Sequence, residues 1–408
     1  MSETKTLQQI DQELISLLSE RITLLQTQDA PSMVEQLEHI RPFLMDANVS
    51  EFTWNTLIVN CMAALATEEP SLQHRQAQRR RITVVGGRGI MGRFFCDRMA
   101  TAGHEVRVLE YDDWDRANIL LEDADLVLIA VPLKHTIPIV RRVAEYLSPH
   151  TILADVASTK VEVVQAMLKA HSGPVVGLHP MFGLGSGTFL GKKVVVCPGR
   201  GLDTAQWVLD LIEADGGTLV TCTPDEHDAM MIAVQVIRFF SDFSLGTFYA
   251  REGVDIDRSF EFSSPLYRSE INIISRLVTQ DAALYVDILM ASPDRCAAIE
   301  RMVSTYAHLA NLLKQGDRAA LIAEFEKTRA AFSPGADRSM VESSYMLNNL
   351  STFVAATQVE TQHLTLPRKS GHSRRVDNEG ECSDDSKTAK DFDKRAKGRG
   401  CSHCGPIG

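Results

Sequence analysis

Apolar residues in the first 80 positions recur at helical spacing. Leu7, Ile10, Leu14, Leu17 and Leu18, continued by Ile22 and Leu25, share one side of a 3.6-residue repeat. Further helices are predicted around 32–46 and 51–66, and the basic, Gln-rich run 74–81 reads as a linker ending at a strand. From Ile82 the period changes. ITVVG (82–86), EVRVLE (105–110), LVLIAV (126–131), TILADV (151–156), VVGLH (175–179) and KVVVCP (193–198) predict strands. Amphipathic stretches lie between them, which implies a parallel sheet with helices on both faces. After Pro224 the strand pattern stops. Residues 225–250, 265–280, 281–290, 295–316 and 318–360 read as helices, with Asp225, Asp281 and Asp294 as starts.

Composition narrows the class. With 44% hydrophobic and 23% charged residues the chain reads as a soluble globular protein. Its length of 408 residues allows two or three domains. A net charge of −11 argues against nucleic acid or an anionic membrane as partner. No apolar run approaches the roughly 20 residues of a membrane span, and the polar start MSETKTLQQIDQ lacks a signal-peptide core. The cytoplasm is the expected compartment. Of eight cysteines, Cys61, Cys96, Cys197, Cys222 and Cys296 sit among apolar residues and read as reduced core positions. Residues 364–408 are poor in apolar side chains and read as a disordered tail. Cys401, His403 and Cys404, with Cys382, lack a second proper ligand pair, so no metal site is expected.

The sharpest local signal is Gly87-Arg88-Gly89-Ile90-Met91-Gly92 between a strand and a helix. Gly87 would permit a tight turn, Gly89 a close backbone approach to a pyrophosphate, and Gly92 close packing of helix on strand. Glu110 ends the second strand 18 residues after Gly92. A carboxylate there accepts hydrogen bonds from an adenosine ribose and repels a 2′-phosphate, which favours NAD over NADP. Val131 and Pro132, closing the third strand, fall where the nicotinamide half should lie. The fold expected is an α/β Rossmann-type dinucleotide-binding domain over 80–224 and an all-helical domain over 225–360. A helical segment, 1–73, precedes them.

The fifth strand runs into GLHPMFG, which sets His179 at the carboxyl end of the sheet. This block resembles the signature of the prephenate dehydrogenase family. So do VVGGRGIMGRFF, LEYDDWDRA, DVASTK, EHDAMM, SSPLYRSE and QDAALYVDILM, in the family's order over about residues 80–350. The resemblance implies oxidative decarboxylation of a cyclohexadiene dicarboxylate with NAD and a homodimer formed through the helical domain. It implies that His179 is the catalytic histidine and that Arg276 holds a substrate carboxylate. Lys160 and Arg268 match further cationic positions, and Tyr285, His227 and Gln235 are shared. The residue types suit the chemistry: arginine grips a carboxylate through two donors, and a neutral imidazole accepts a proton.

Two departures stand out. Residues 1–65 resemble the chorismate mutase domain fused to some of these enzymes, and Arg21 keeps a matching position. An earlier arginine falls on Thr4, and QTQDAPSMVEQLEHI supplies no later lysine or arginine. Such a site needs several cations to clamp a dicarboxylate, so 1–73 reads as a degenerate segment or a dimerisation element. Phe239 stands where the fused enzymes typically carry a histidine, which removes a polar partner. The main expectation is prephenate to 4-hydroxyphenylpyruvate. The alternatives are 4-amino-4-deoxyprephenate as substrate, or a catalytically inactive sensor of NAD or an aromatic ligand.

Overall fold

The computed structural model describes residues 5–26, 33–65, 79–183, 185 and 187–365. Thr4, most of the 74–81 linker and the tail beyond Thr365, with its cysteines and His403, lie outside these residues. Three helices come first: α1 (Leu7–Leu25), α2 (Met33–Asp46) and α3 (Glu51–Ala64). Thr6 and Gln9 close a reciprocal capping box on α1, and Ser50 caps α3. Arg21 donates to Gln36 and lies 5.8 Å from the Trp54 ring centre. Of the apolar stripe of α1, Leu7, Ile10, Leu14 and Leu17 are exposed, and Leu18, Ile22 and Leu25 are half-buried.

A seven-stranded sheet follows, in the order β2-β1-β3-β4-β5-β6-β7. The strands are β1 (Arg81–Val85), β2 (Glu105–Leu109), β3 (Leu126–Ile129), β4 (Ile152–Asp155), β5 (Val175–Pro180), β6 (Lys193–Arg200) and β7 (Thr218–Thr221). The sheet helices are α4 (Ile90–Thr101), α5 (Ala117–Leu121), α6 (Leu133–Ala144), α7 (Val161–Ala170) and α8 (Leu202–Ala214). β1 to β5 are parallel, as the alternation implied. β6 is not: it runs antiparallel to β5. The described residues of 181–192 contain no crossover helix, and a direct return makes an antiparallel neighbour. β7 is a strand the pattern did not predict. It is a four-residue edge, mostly exposed, so burial wrote no signature into it.

Period-two alternation divides the core between the two faces. Ile82 and Val84 point with Phe94, Phe95, Met99 and Phe189 to one side. Val85, Val127 and Ile129 point with Val140, Val163 and Met167 to the other. Burial pushes the Cys96 thiol to about 11 and Cys197 to about 12, so both are inert. Cys61 and Cys197 are buried, but Cys296 is exposed and is no core residue. It lies in the first turn of a surface helix.

Beyond the sheet come α9 (Pro224–Met231), a π-turn (Ile232–Ile237), α10 (Arg238–Arg251), α11 (Ile256–Glu261), α12 (Pro265–Val278), α13 (Ala282–Leu289), α14 (Pro293–Gln315) and α15 (Arg318–Phe332). The last helix, α16, covers Ala336–Thr365. α11, a six-residue helix, was not predicted, and a 3-10 turn at Ser333–Gly335 interrupts the run expected over 318–360. Asp281 caps α13, whereas Asp225 and Asp294 sit inside first turns that open on Thr223-Pro224 and Ser292-Pro293. The continuous run Pro224–Arg251 is long and apolar enough in composition to cross a membrane, contrary to expectation. It carries the Arg238–Asp242 ion pair and packs on α12 and α14, which makes it the central helix of the helical region.

The turn from β4 into α7 is held by a buried ion pair. Asp155 ends β4 and Lys160 precedes α7; both side chains are fully buried, with Nζ 2.5 Å from Oδ2. Asp155 Oδ2 also accepts the Ala157 N–H at 2.8 Å. Burial pushes the Asp155 carboxyl up, and Lys160 opposes that rise by charge and hydrogen bond. Removing one member of such a pair strands the other. Lys160→Met is expected to lose about 3–5 kcal/mol of stability, and Asp155→Leu in the same chain to restore most of it. Urea unfolding of the single and double variants measures both.

Candidate active site

The turn after β1 has no room for side chains. A Cβ on Gly92 would lie 2.2 Å from the Gly86 carbonyl oxygen, and one on Gly87 would lie 2.7 Å from Val108. The left-handed residue of the turn is Gly86, at φ +83°, not Gly87 as the motif suggested; its Cβ would meet Ala130 O at 2.6 Å. Gly89 caps α4 without a side-chain hydrogen bond, so the Ile90 and Met91 end of the helix presents bare N–H groups. Glu110 reaches back to this turn, and its Oε1 accepts the Arg88 N–H at 2.6 Å. The Arg88 guanidinium pairs with Asp112. Val131 stands against Gly86, and Pro132 opens α6. These residues fit a dinucleotide: a glycine cradle, an uncapped helix start and a carboxylate at the end of β2.

His179 lies on β5, with Pro180 after it paired to Val194 on β6. Its ring is 5% exposed. Nδ1 of His179 is 2.8 Å from Nε2 of His227, and Nδ1 of His227 is 2.7 Å from Oδ1 of Asp228. Asp228 also accepts the backbone N–H groups of Lys160 (2.8 Å) and Val161 (3.0 Å). The helix that carries His227 and Asp228 starts where it does because Thr223 accepts the Glu226 N–H and Pro224 occupies the first position. Phe182, three residues beyond His179, packs edge-on against Phe94 at 5.1 Å and pins the chain leaving β5.

Burial drives the His179 imidazole well below its usual range, and the nearby Lys160, His227 and Arg295 add to this while Asp228 opposes it. His179 is therefore neutral at physiological pH. Burial pushes the Asp228 carboxyl up, but the His227 hydrogen bond and the two backbone N–H groups outweigh it and hold the group below the usual carboxylate range.

The other expected residues fall into two places. Gln235 lies in the π-turn, and its Oε1 is buried without a partner. Phe239 packs edge-to-face on Tyr285, with ring centres 4.8 Å apart. Arg276 is exposed near the end of α12; a Cβ on Gly185, in the loop that follows His179, would lie 3.9 Å from its guanidinium. Burial raises the Tyr285 phenol and the Arg276 charge opposes that rise, which places the two together. Arg268, eight residues earlier, stands over the Phe260 ring at 4.7 Å; the structure does not bring it to the His179 group. Lys160 lies beneath Gly177, whose added Cβ would meet its Cδ at 3.0 Å.

Sequence reasoning missed Asp155, Asp228 and Arg295. Arg295 is buried and donates to the Ile288 carbonyl at 2.6 Å and to the Ser158 carbonyl at 3.4 Å. It ties α14 to the β4–α7 loop. Asp155 and Asp228 lie inside DVASTK and EHDAMM and were legible as polar residues beside apolar runs; Arg295 carries no such signal. A cavity of about 890 Å³ opens beside Asp228 and Arg295, with Lys134, Ile232 and Met290 in its walls; His179 does not line it.

Residues 97–221 match the family model described as prephenate dehydrogenase, nucleotide-binding domain, and 223–327 the one described as prephenate dehydrogenase, dimerization domain. A T-protein of Enterobacter agglomerans is 40% identical over 270 residues, 66% of this chain and 72% of the relative. A T-protein of Haemophilus influenzae is 34% identical over 65% of this chain and 71% of its own length. A 4-amino-4-deoxyprephenate dehydrogenase of Streptomyces pristinaespiralis is 26% identical over 61% of this chain and 90% of its own. The fold is that of a solved Aquifex aeolicus prephenate dehydrogenase in complex with hydroxyphenyl propionate and NAD+ (TM-score 0.52, 19% identity, 64% of this chain and 99% of that one). This chain belongs to the prephenate dehydrogenase family and is an NAD-dependent oxidoreductase.

Proposed function

We propose that the chain converts prephenate to 4-hydroxyphenylpyruvate in the cytoplasm, with His179 as the proton acceptor. The observation that carries this reading is a buried, neutral imidazole at the carboxyl end of β5, beside the edge where the glycine turn would hold NAD. NAD would supply the hydride acceptor for ring C4. Gly87, Gly89 and Gly92 would leave backbone open for its phosphates, and Ile90 and Met91 begin the helix that would face them. Glu110 would accept from the ribose hydroxyls, and Val131 and Pro132 would border the nicotinamide half. His179 accepts the proton of the C4 hydroxyl as the hydride departs. The ring carboxylate then leaves as CO2; its bonding electrons complete the aromatic ring, and the C4 oxygen takes its proton back from His179.

Arg276, next to the loop that follows His179, is suited to the side-chain carboxylate, with Tyr285 beside it. The charge on Lys160 is matched by Asp155, so it shapes the field around His179 rather than gripping substrate. His179→Asn is expected to lower kcat by about 10²- to 10⁴-fold while NAD affinity holds. A variant with wild-type prephenate oxidation would remove this reading. Because only the neutral ring accepts a proton, the acid limb of the kcat/KM profile is expected to have its midpoint below 6.5; a midpoint above 6.5 contradicts it.

A second reading rests on Phe239. Its edge-to-face packing on Tyr285 replaces a polar group with an apolar ring, which suits a substrate whose C4 group is not a hydroxyl. Parallel assays decide: higher kcat/KM on 4-amino-4-deoxyprephenate than on prephenate establishes this alternative.

The helical region supports a homodimer. Phe243, Phe248, Phe262, Val278, Phe325 and Phe332 are exposed there, and an apolar surface of this kind marks an association site. Light scattering is expected to give twice the 45.1 kDa chain mass; a monomer would exclude it.

A further inference from the structure

We infer that Asp228 is a positioning residue for His179: acting through His227, it selects the tautomer that carries its proton on Nδ1 and leaves Nε2 bare toward the substrate. The inference rests on the proposed role of His179 as proton acceptor and adds the group that makes that role possible.

The argument is one of donors and acceptors. An ionised carboxylate only accepts. Asp228 Oδ1, 2.7 Å from His227 Nδ1, therefore requires a proton on that nitrogen. A neutral imidazole carries one N–H and one lone pair, so His227 Nε2 is left as an acceptor. It lies 2.8 Å from His179 Nδ1, and that nitrogen is then the donor. His179 Nε2 has only its lone pair left. With one proton on each ring, the direction of every bond in the chain follows from the charge on Asp228.

Asp228 itself has little freedom to turn. Oδ1 accepts the Lys160 N–H and Oδ2 the Val161 N–H, so the first turn of α7 fixes both oxygens. The groups around the two rings are Asp155 on β4, Lys160 before α7, Asp228 on α9 and Arg295 on α14. Lys160 and Arg295 oppose a proton on His179, and the charge on Asp228 favours one. Once the C4 hydroxyl proton reaches Nε2, the new positive charge faces Asp228 through a single intervening ring.

Asp228→Asn removes the charge and gives up one of the two α7 bonds, because Oδ1 faces both His227 Nδ1 and the Lys160 N–H. With the carboxamide oxygen kept on the Val161 N–H, its NH2 group donates toward His227 and reverses the chain. His227 Nε2 would then donate to His179 Nδ1, which places the His179 proton on Nε2. The expected result is a fall in kcat of about 10²- to 10⁴-fold with KM for prephenate and NAD affinity retained. Any residual activity should show its acid limb moved to lower pH, because a negative charge has gone. Nitrogen-15 shifts of the histidine rings, assigned with His179→Asn, should show Nδ1–H in the parent protein and Nε2–H in Asp228→Asn. An Nε2–H signal at His179 in the parent, or wild-type kcat in the variant, overturns the inference. If Asp228→Asn does not fold, His227→Leu breaks the same chain without touching the α7 anchor; an unchanged kcat there overturns it equally. Should the parent fail to oxidise prephenate, the function reading falls, and the nitrogen shifts still decide the tautomer.

Discussion

The site depends on keeping two full charges dry at the carboxyl end of β4. Asp155 and Lys160 have no solvent contact, and each would be costly to bury alone. Their pairing sets the chain direction into α7, and the backbone N–H groups of Lys160 and Val161 then emerge where Asp228 can accept them. Asp228 in turn holds His227, and His227 holds His179. A single buried ion pair thus aligns groups from β4, β5 and α9 around one imidazole.

That imidazole stays neutral for a reason visible in the fold. β5 is buried at all six positions, and the cations near His179 lie on the protein side. A ring in such a place holds its lone pair available at physiological pH. The cofactor half of the site works by subtraction: Gly86, Gly87 and Gly92 stand where any side chain would strike backbone or Val108. One half of the site is built by adding charge and the other by removing atoms.

Much of this was legible in the amino-acid sequence because burial and turn chemistry leave local marks. Strands β1 and β3 to β6 are largely buried runs bounded by polar residues, and the glycine turn is written in a hexapeptide. His179 stood out through its place at the end of an apolar strand together with the family's GLHPMFG block. What escaped notice depends on contacts between distant segments. Asp228 gains its meaning 68 residues from Lys160, and Arg295 lies 137 residues from Ser158. The antiparallel turn of β6 follows from a missing helix, and the mostly exposed edge strand β7 had no buried face to betray it. Arg268 and Arg276 read as one pair on a helix face, yet two turns of α12 carry them to different neighbours.

The π-turn at Ile232–Ile237 gives the central helix a second degree of freedom. An i→i+5 turn accommodates one residue more than a regular turn, so everything downstream is out of phase by about 100° relative to an uninterrupted α-helix. His227 and Asp228 precede that slip, and Phe239 follows it. A single-residue deletion there would relax the π-turn to a regular one and leave Phe239 facing as it does, together with the Thr223 cap and the acceptors upstream. The helix is therefore two modules whose relative phase is set by one absorbed residue, so the residues after the turn can face the ligand without disturbing the proton chemistry before it.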